Sequence, residues 1–162
     1  MRTTHRRLAV AAAALLLAAG AAPAVADDGH SHGRGEARGT LLSADLIGSL
    51  TTDPVLAGIS PGGADWSVSR STVKVKANGR VDIRVRDLVL TSTGVNPVTE
   101  ISASLVCNGE VVDSVGPVAY DAEGDARIRD RFMVPDRCLA PAVLLNPRAV
   151  VGTYIAASGQ AR

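Results

Sequence analysis

The sequence predicts an all-β domain: an antiparallel β-sandwich of immunoglobulin-like type, with eight or nine short strands and one disulfide. Three observations predict it. From Ser71 to Leu90 apolar and polar residues alternate on both sides of Asn78-Gly79. Val73 and Val75 alternate with Lys74 and Lys76, then Val81, Ile83 and Val85 with Asp82, Arg84 and Arg86. A period of two marks half-buried strands, and Asn-Gly between two of them marks a hairpin. The same pattern recurs around Asn108-Gly109. Beyond residue 26 no stretch holds a helical period, and turn signals break the chain at the spacing of a sandwich. A closed barrel is the alternative.

Residues 1–26 read as an export signal. Arg2, Arg6 and Arg7 form a basic leader, Leu8 to Ala19 is apolar but short for a bilayer, and Ala24-Val25-Ala26 is a cleavage site. Arg6-Arg7 matches the twin-arginine pattern poorly, so general secretion is expected. No Cys follows the apolar run and no apolar tail ends the chain, so no membrane anchor is expected after cleavage. The expected product is soluble and secreted. Cleavage removes three arginines and no acid, so the formal charge of +1 becomes about −2. Nothing in that balance points to nucleic acid.

Residues 27–39 are rich in glycine and charge and contain no large apolar side chain, so a disordered tail is expected. Asp28, His30 and His32 are candidate ligands there for copper, nickel or zinc; a merely solvated tail is the plain alternative. No other cofactor is implied.

Residues 40–162 form the single folded domain. Thr40 to Leu50 reads as a first edge strand. Asp53-Pro54 and Ser60-Pro61-Gly62-Gly63 punctuate a long loop. Asp65 to Val68 is a short strand with Trp66 as core anchor. In the central hairpin, side-chain parity chooses the turn. A two-residue loop would oppose Val75 to Asp82 and mix valines with charges on one face. A three-residue loop, Ala77-Asn78-Gly79, puts Gly79 in a left-handed bulge position. Val75 then faces Val81, Val73 faces Ile83, and Lys74 faces Asp82 as an opposite-charge pair.

After Asn96-Pro97, Thr99 to Cys107 places Ile101, Ala103, Leu105 and Cys107 on one face. A two-residue turn at Asn108-Gly109 leads into Glu110 to Val115 and pairs Val106 with Val111 and Leu105 with Val112. Pro117 to Tyr120 is a separate short strand. Asp125 to Val134 sets Ala126, Ile128 and Phe132 against Arg127, Arg129 and Arg131. Ala142 to Leu145 is a strand, and Val150 to Ala157 closes the sheet with Tyr154 and Ile155.

Two cysteines in an exported chain read as one disulfide, Cys107–Cys138. It closes a loop of about 32 residues, which chain entropy values at roughly 3.5–4 kcal/mol. The order of Trp66 before both cysteines departs from antibody domains.

The stretches Thr52 to Trp66, Ser104 to Gly109 and Cys138 to Pro147 resemble a group of small exported β-sandwich proteins of high-GC Gram-positive bacteria with no established activity. The resemblance implies export and fold, and it carries no catalytic residue to this chain.

The residue 40–162 region has no histidine, so no Ser-His-Asp or Cys-His arrangement can form within it, and pairing consumes both thiols. No Walker loop, HExxH or G-x-S-x-G is present. Asp121, Glu123 and Asp125 cluster at a turn, where solubility is the simpler role. Four aromatics, Trp66, Tyr120, Phe132 and Tyr154, leave little for carbohydrate platforms. Arg127, Arg129 and Arg131 make a row about 13 Å long at strand spacing. It suits an anionic polymer or surface; the bland alternative is a solvated face balanced by acids. The expected function is non-enzymatic, a structural or interaction role at the cell exterior with cell-wall or extracellular protein as candidate partner. A metal-binding exported protein using the tail is the alternative, and a carboxylate hydrolase the third.

Overall fold

Alternation becomes strand wherever the sequence carries it. The computed structural model describes residues 39–159, and these hold no helix and twelve strands rather than the eight or nine expected, since strands of two residues carry no legible alternation. They are β1 (Thr40–Gly48), β2 (Ser60–Pro61), β3 (Trp66–Ser67), β4 (Thr72–Lys76), β5 (Arg80–Val85), β6 (Val89–Leu90), β7 (Glu100–Cys107), β8 (Glu110–Ala119), β9 (Ala126–Arg131), β10 (Ala142–Pro147), β11 (Thr153–Tyr154) and β12 (Ala156–Gly159). Eight of them form one antiparallel sheet in the order β8-β7-β10-β12-β1-β4-β5-β9. Two-stranded ribbons, β3 with β6 and a parallel β2 with β11, form ladders separate from it.

The sheet folds back on itself. One apolar core takes Leu46 from β1, Val73 and Val75 from β4, Ile83 from β5, Ile101 and Leu105 from β7, Val115 from β8, Ile128 from β9, Leu145 from β10 and Ala156 from β12. The two edges approach each other, and the Met133 N–H beyond β9 donates to Asp113 Oδ2 on β8 at 2.7 Å. Edge backbone is thereby partly covered, which removes a template for unwanted pairing.

The central hairpin has the register that parity requires: Val75 opposite Val81, Lys74 opposite Asp82 and Val73 opposite Ile83. Gly79 has φ +86° and its N–H donates to Lys76 O at 2.8 Å. A Cβ on Gly79 would also lie 2.0 Å from Phe132 O, so the turn is constrained by packing as well as by conformation.

Three expectations need correction. First, β1 is central rather than an edge, because β12 pairs with its other side, Ile47 opposite Ala157. Joining the two ends of the domain is a long-range event that no local pattern encodes. Second, Val150 to Ala157 is divided: β11 leaves the main sheet to pair with β2, and only β12 continues it. Third, β8 is one strand through Gly116-Pro117, with Ile101 opposite Val118 and Ala103 opposite Val115. The extra residue is taken up as a bulge where Gly116, at φ +94°, lies against Ser102. A second bulge puts Leu105 opposite Asp113 instead of Val112, while Val106 opposite Val111 stands as expected.

Cys107 and Cys138 form the disulfide, with Cα atoms 4.8 Å apart. Asn108 holds the second half of this junction: its Nδ2 donates to Arg137 O at 3.1 Å and its Oδ1 accepts from Leu139 N–H at 2.9 Å. Asn108 and Gly109 both have positive φ, at 58° and 81°, as a type I′ turn demands. Trp66 is buried in the main core, and the buried Tyr120 hydroxyl donates to Leu88 O. Burial, with help from Asp121 and Asp125, pushes the Tyr120 phenol far above its ordinary pKa, so it stays a neutral donor.

Candidate functional site

Strand alternation sends every second residue of β4, β5 and β9 out of the core. On β4 these are Thr72, Lys74 and Lys76, on β5 Arg80, Asp82 and Arg84, and on β9 Arg127, Arg129 and Arg131. Backbone pairing sets them side by side: Arg80 opposite Arg131, Asp82 opposite Arg129 and Lys74, Arg84 opposite Arg127. Seven cations thus share one exposed face with a single carboxylate. The row read from the sequence, Arg127, Arg129 and Arg131, is one of its three columns.

Asp82 sits at the centre. It accepts from Arg127 through both oxygens, at 3.2 and 2.7 Å, and has Arg84 and Arg129 at 3.8 Å. The hydrogen bond from Arg127, aided by the charges of Arg127, Arg84 and Arg129, holds the Asp82 carboxyl below its usual pKa despite partial desolvation. Lys74 lies opposite Asp82 in register, yet the carboxylate is taken by the arginines of the other neighbouring strand rather than by Lys74. The planar guanidinium fork matches two carboxylate oxygens where an ammonium offers only a point charge.

At the other end of the face Lys76, Arg80 and Arg131 form no ion pair among the described residues. Lys76, Arg80, Arg131, Lys74 and Arg129 line a groove of about 830 Å³ with Asn78, Asp82 and Asp130. Arg131 is oriented by donating to Asn78 O at 2.8 Å, and Lys76 Nζ donates to Thr40 Oγ1 at 3.4 Å. Arg80 has no ion-pair partner among the described residues. Asp130, from the other parity of β9, accepts from the Arg131 N–H at 2.8 Å.

A larger groove of about 1150 Å³ lies where β1 parts from β4, between Asp45–Gly48 and Trp66–Thr72. Arg86 on its rim is paired with Asp125. The acidic turn is occupied structurally: Asp125 also accepts from Asp87 N–H, and Asp121 accepts from Asp125 N–H at 2.7 Å. No group of three or more metal-ligating side chains occurs among the described residues. The tail candidates Asp28, His30 and His32 lie outside the described residues. No helix among the described residues is long and apolar enough to cross a membrane.

The sequence does not join Lys74, Lys76, Arg80 and Arg84 to the arginine row. Their outward alternation was legible, but the pairing of β5 with β9, which puts Arg84 beside Arg127, spans a gap of more than forty residues. No family model, curated protein or solved structure matches this chain.

Proposed function

We propose that this is an exported, non-enzymatic β-protein with an interaction role at the cell exterior, where the β4-β5-β9 face binds an anionic partner. One observation carries the reading. A chain that is slightly acidic after signal removal places half of its remaining cations on one sheet face, including two like-charge pairs, Arg80–Arg131 and Arg84–Arg127, directly across strands. Like charges in that position oppose folding. Their presence is understandable if the face has a use that stability alone does not supply. The disulfide and the leader-like residues 1–26 support export.

The test is fractionation of cells producing the full chain. The wild type is expected with the cell envelope in low salt and released by about 0.5 M salt, since exposed charge contacts are screened within a few ångströms there. The variant Arg127→Glu/Arg129→Glu/Arg131→Glu is expected free in the medium at low salt. Retention of that variant, or wild type that stays inside the cell, refutes the reading.

A further inference from the structure

Resting on that reading, the groove allows its partner to be named by chemistry. We propose that the corner formed by Lys76, Arg80 and Arg131 holds a flexible linear polymer carrying one phosphate per repeat and no aromatic group.

The first argument is where charge is left over. Asp82 neutralises the Arg84–Arg127–Arg129 end, whereas Arg80 and Arg131 stand opposite one another with no carboxylate of the described residues closing on their side chains. Arg131 is already oriented by Asn78 O, so part of the ordering cost of binding is met before the ligand arrives.

Geometry supplies the second argument. Lys76, Arg80 and Arg131 come from three adjacent strands and line one groove. A tetrahedral phosphate accepts hydrogen bonds from three sides at once; a planar carboxylate accepts chiefly in its plane. Arginine forks and a lysine point charge are both established ways of holding phosphate oxygens. Lys74 and Arg129 lie two residues further along β4 and β9, a step of about 6.7 Å. Lys74, which has no ion-pair partner among the described residues, can therefore meet a second anion of the same polymer, beside the Arg129 that Asp82 shares.

The third argument is what the face lacks. Single-stranded nucleic acid is usually held by stacking on aromatics, and Trp66, Tyr120, Phe132 and Tyr154 are all buried. Membrane surfaces are gripped by apolar side chains beside the basic ones, and the only large apolar residue lining this groove is Val81, itself buried.

Purified exported chain would be titrated with fluorescent long-chain inorganic polyphosphate at several salt concentrations. Polygalacturonate, poly-dT and phosphatidylglycerol vesicles would serve as alternative probes. Polyphosphate is expected to bind most tightly. Lys76→Gln/Arg80→Gln/Arg131→Gln is expected to weaken it about tenfold or more and to flatten the log–log salt slope by about 2, the loss of three contacts on a flexible strand. Arg70→Gln/Arg137→Gln/Arg148→Gln, equal in charge but elsewhere, is expected to change affinity less than about twofold; urea unfolding confirms that both variants are folded. Equal losses in the two variants overturn the proposal, as does tighter binding of polygalacturonate, poly-dT or vesicles. If polyphosphate fails while salt-releasable envelope retention persists, the phosphate assignment is wrong and the broader reading stands.

Discussion

One sheet presents two outer faces, and they are opposites. On β4, β5 and β9 all the outward residues but Thr72 are charged, and all are exposed or half-buried. On β7 and β10 the outward residues Ser102, Ser104, Val106, Leu144 and Asn146 are buried, and only Glu100 at the start of β7 is exposed. That second face is covered by the loop before β2 and by β11. Ile59, Val106, Leu144 and Tyr154 form a small apolar cluster beneath the cover, with Leu56 and Ala57 packed against it. The Tyr154 hydroxyl donates to Pro54 O at 2.8 Å, pinning the loop.

Small polar groups make the cover feasible. Ser104 Oγ donates to Asn146 Oδ1 at 2.8 Å and lies 2.9 Å from Ser114 Oγ, so Ser114 must be the donor in that second contact. Asn146 Nδ2 donates to Thr153 O at 2.8 Å, and Ser102 Oγ donates to Arg148 O at 2.6 Å. No described buried side-chain polar atom is left unpartnered. The contrast teaches that a period of two has two meanings. With Lys, Arg and Asp it specifies a face for solvent. With Ser, Asn and Val it specifies a face that can be buried a second time, provided each polar atom is matched.

Five substitutions break or sharpen this contrast. The strongest moves the bare face onto the covered one. Ser104→Lys buries an unpaired ammonium under the loop and is expected to cost more than about 4 kcal/mol, enough to unfold most of the chain in a urea titration. Gly79→Ala tests how the bare side is anchored. Its Cβ would collide with Phe132 O and occupy a left-handed site, so a loss of about 3 kcal/mol is expected. This exceeds the roughly 1 kcal/mol that the conformational penalty alone would bring. Asn146→Leu leaves Thr153 O without its donor and should cost about 2 kcal/mol in urea unfolding, with faster amide exchange in β11.

On the bare face the effects should be small and sensitive to salt. Asp82→Asn removes the one carboxylate among seven cations, and its unfolding midpoint should fall at low salt and recover as salt screens the repulsion. The native Asp82 pKa is depressed, so its contribution is fully present above the unfolded value near 3.8 and lost as pH falls through the native value. Wild type and Asp82→Asn should therefore differ at pH 6 and converge in strong acid; a gap that widens on acidification would falsify this sign. The smallest effect is a gain. Arg84→Thr relieves its like-charge opposition to Arg127, and a few tenths of a kcal/mol of stabilisation is expected, vanishing at high salt. A loss there would show that Arg84 contributes more through Asp82 than it costs through Arg127.

Local pattern was enough to specify the all-β class, the strands of the Asn78-Gly79 hairpin, both Asn-Gly turns and the Cys107–Cys138 pair. Each follows from local chemistry: alternation, left-handed turn residues, or an even cysteine count. It also showed that Arg127, Arg129 and Arg131 face outward together. Long-range packing sets the rest: β1 lies at the centre beside β12, Tyr154 leaves the sheet to cover its outer face, and β9 sits against β5. The reason is range. A strand's own residues state which side is apolar, but they do not state which strand will lie alongside, because backbone hydrogen bonds are the same for any partner. The cationic face is made of legible rows whose adjacency is not legible, and its charge density arises from that adjacency.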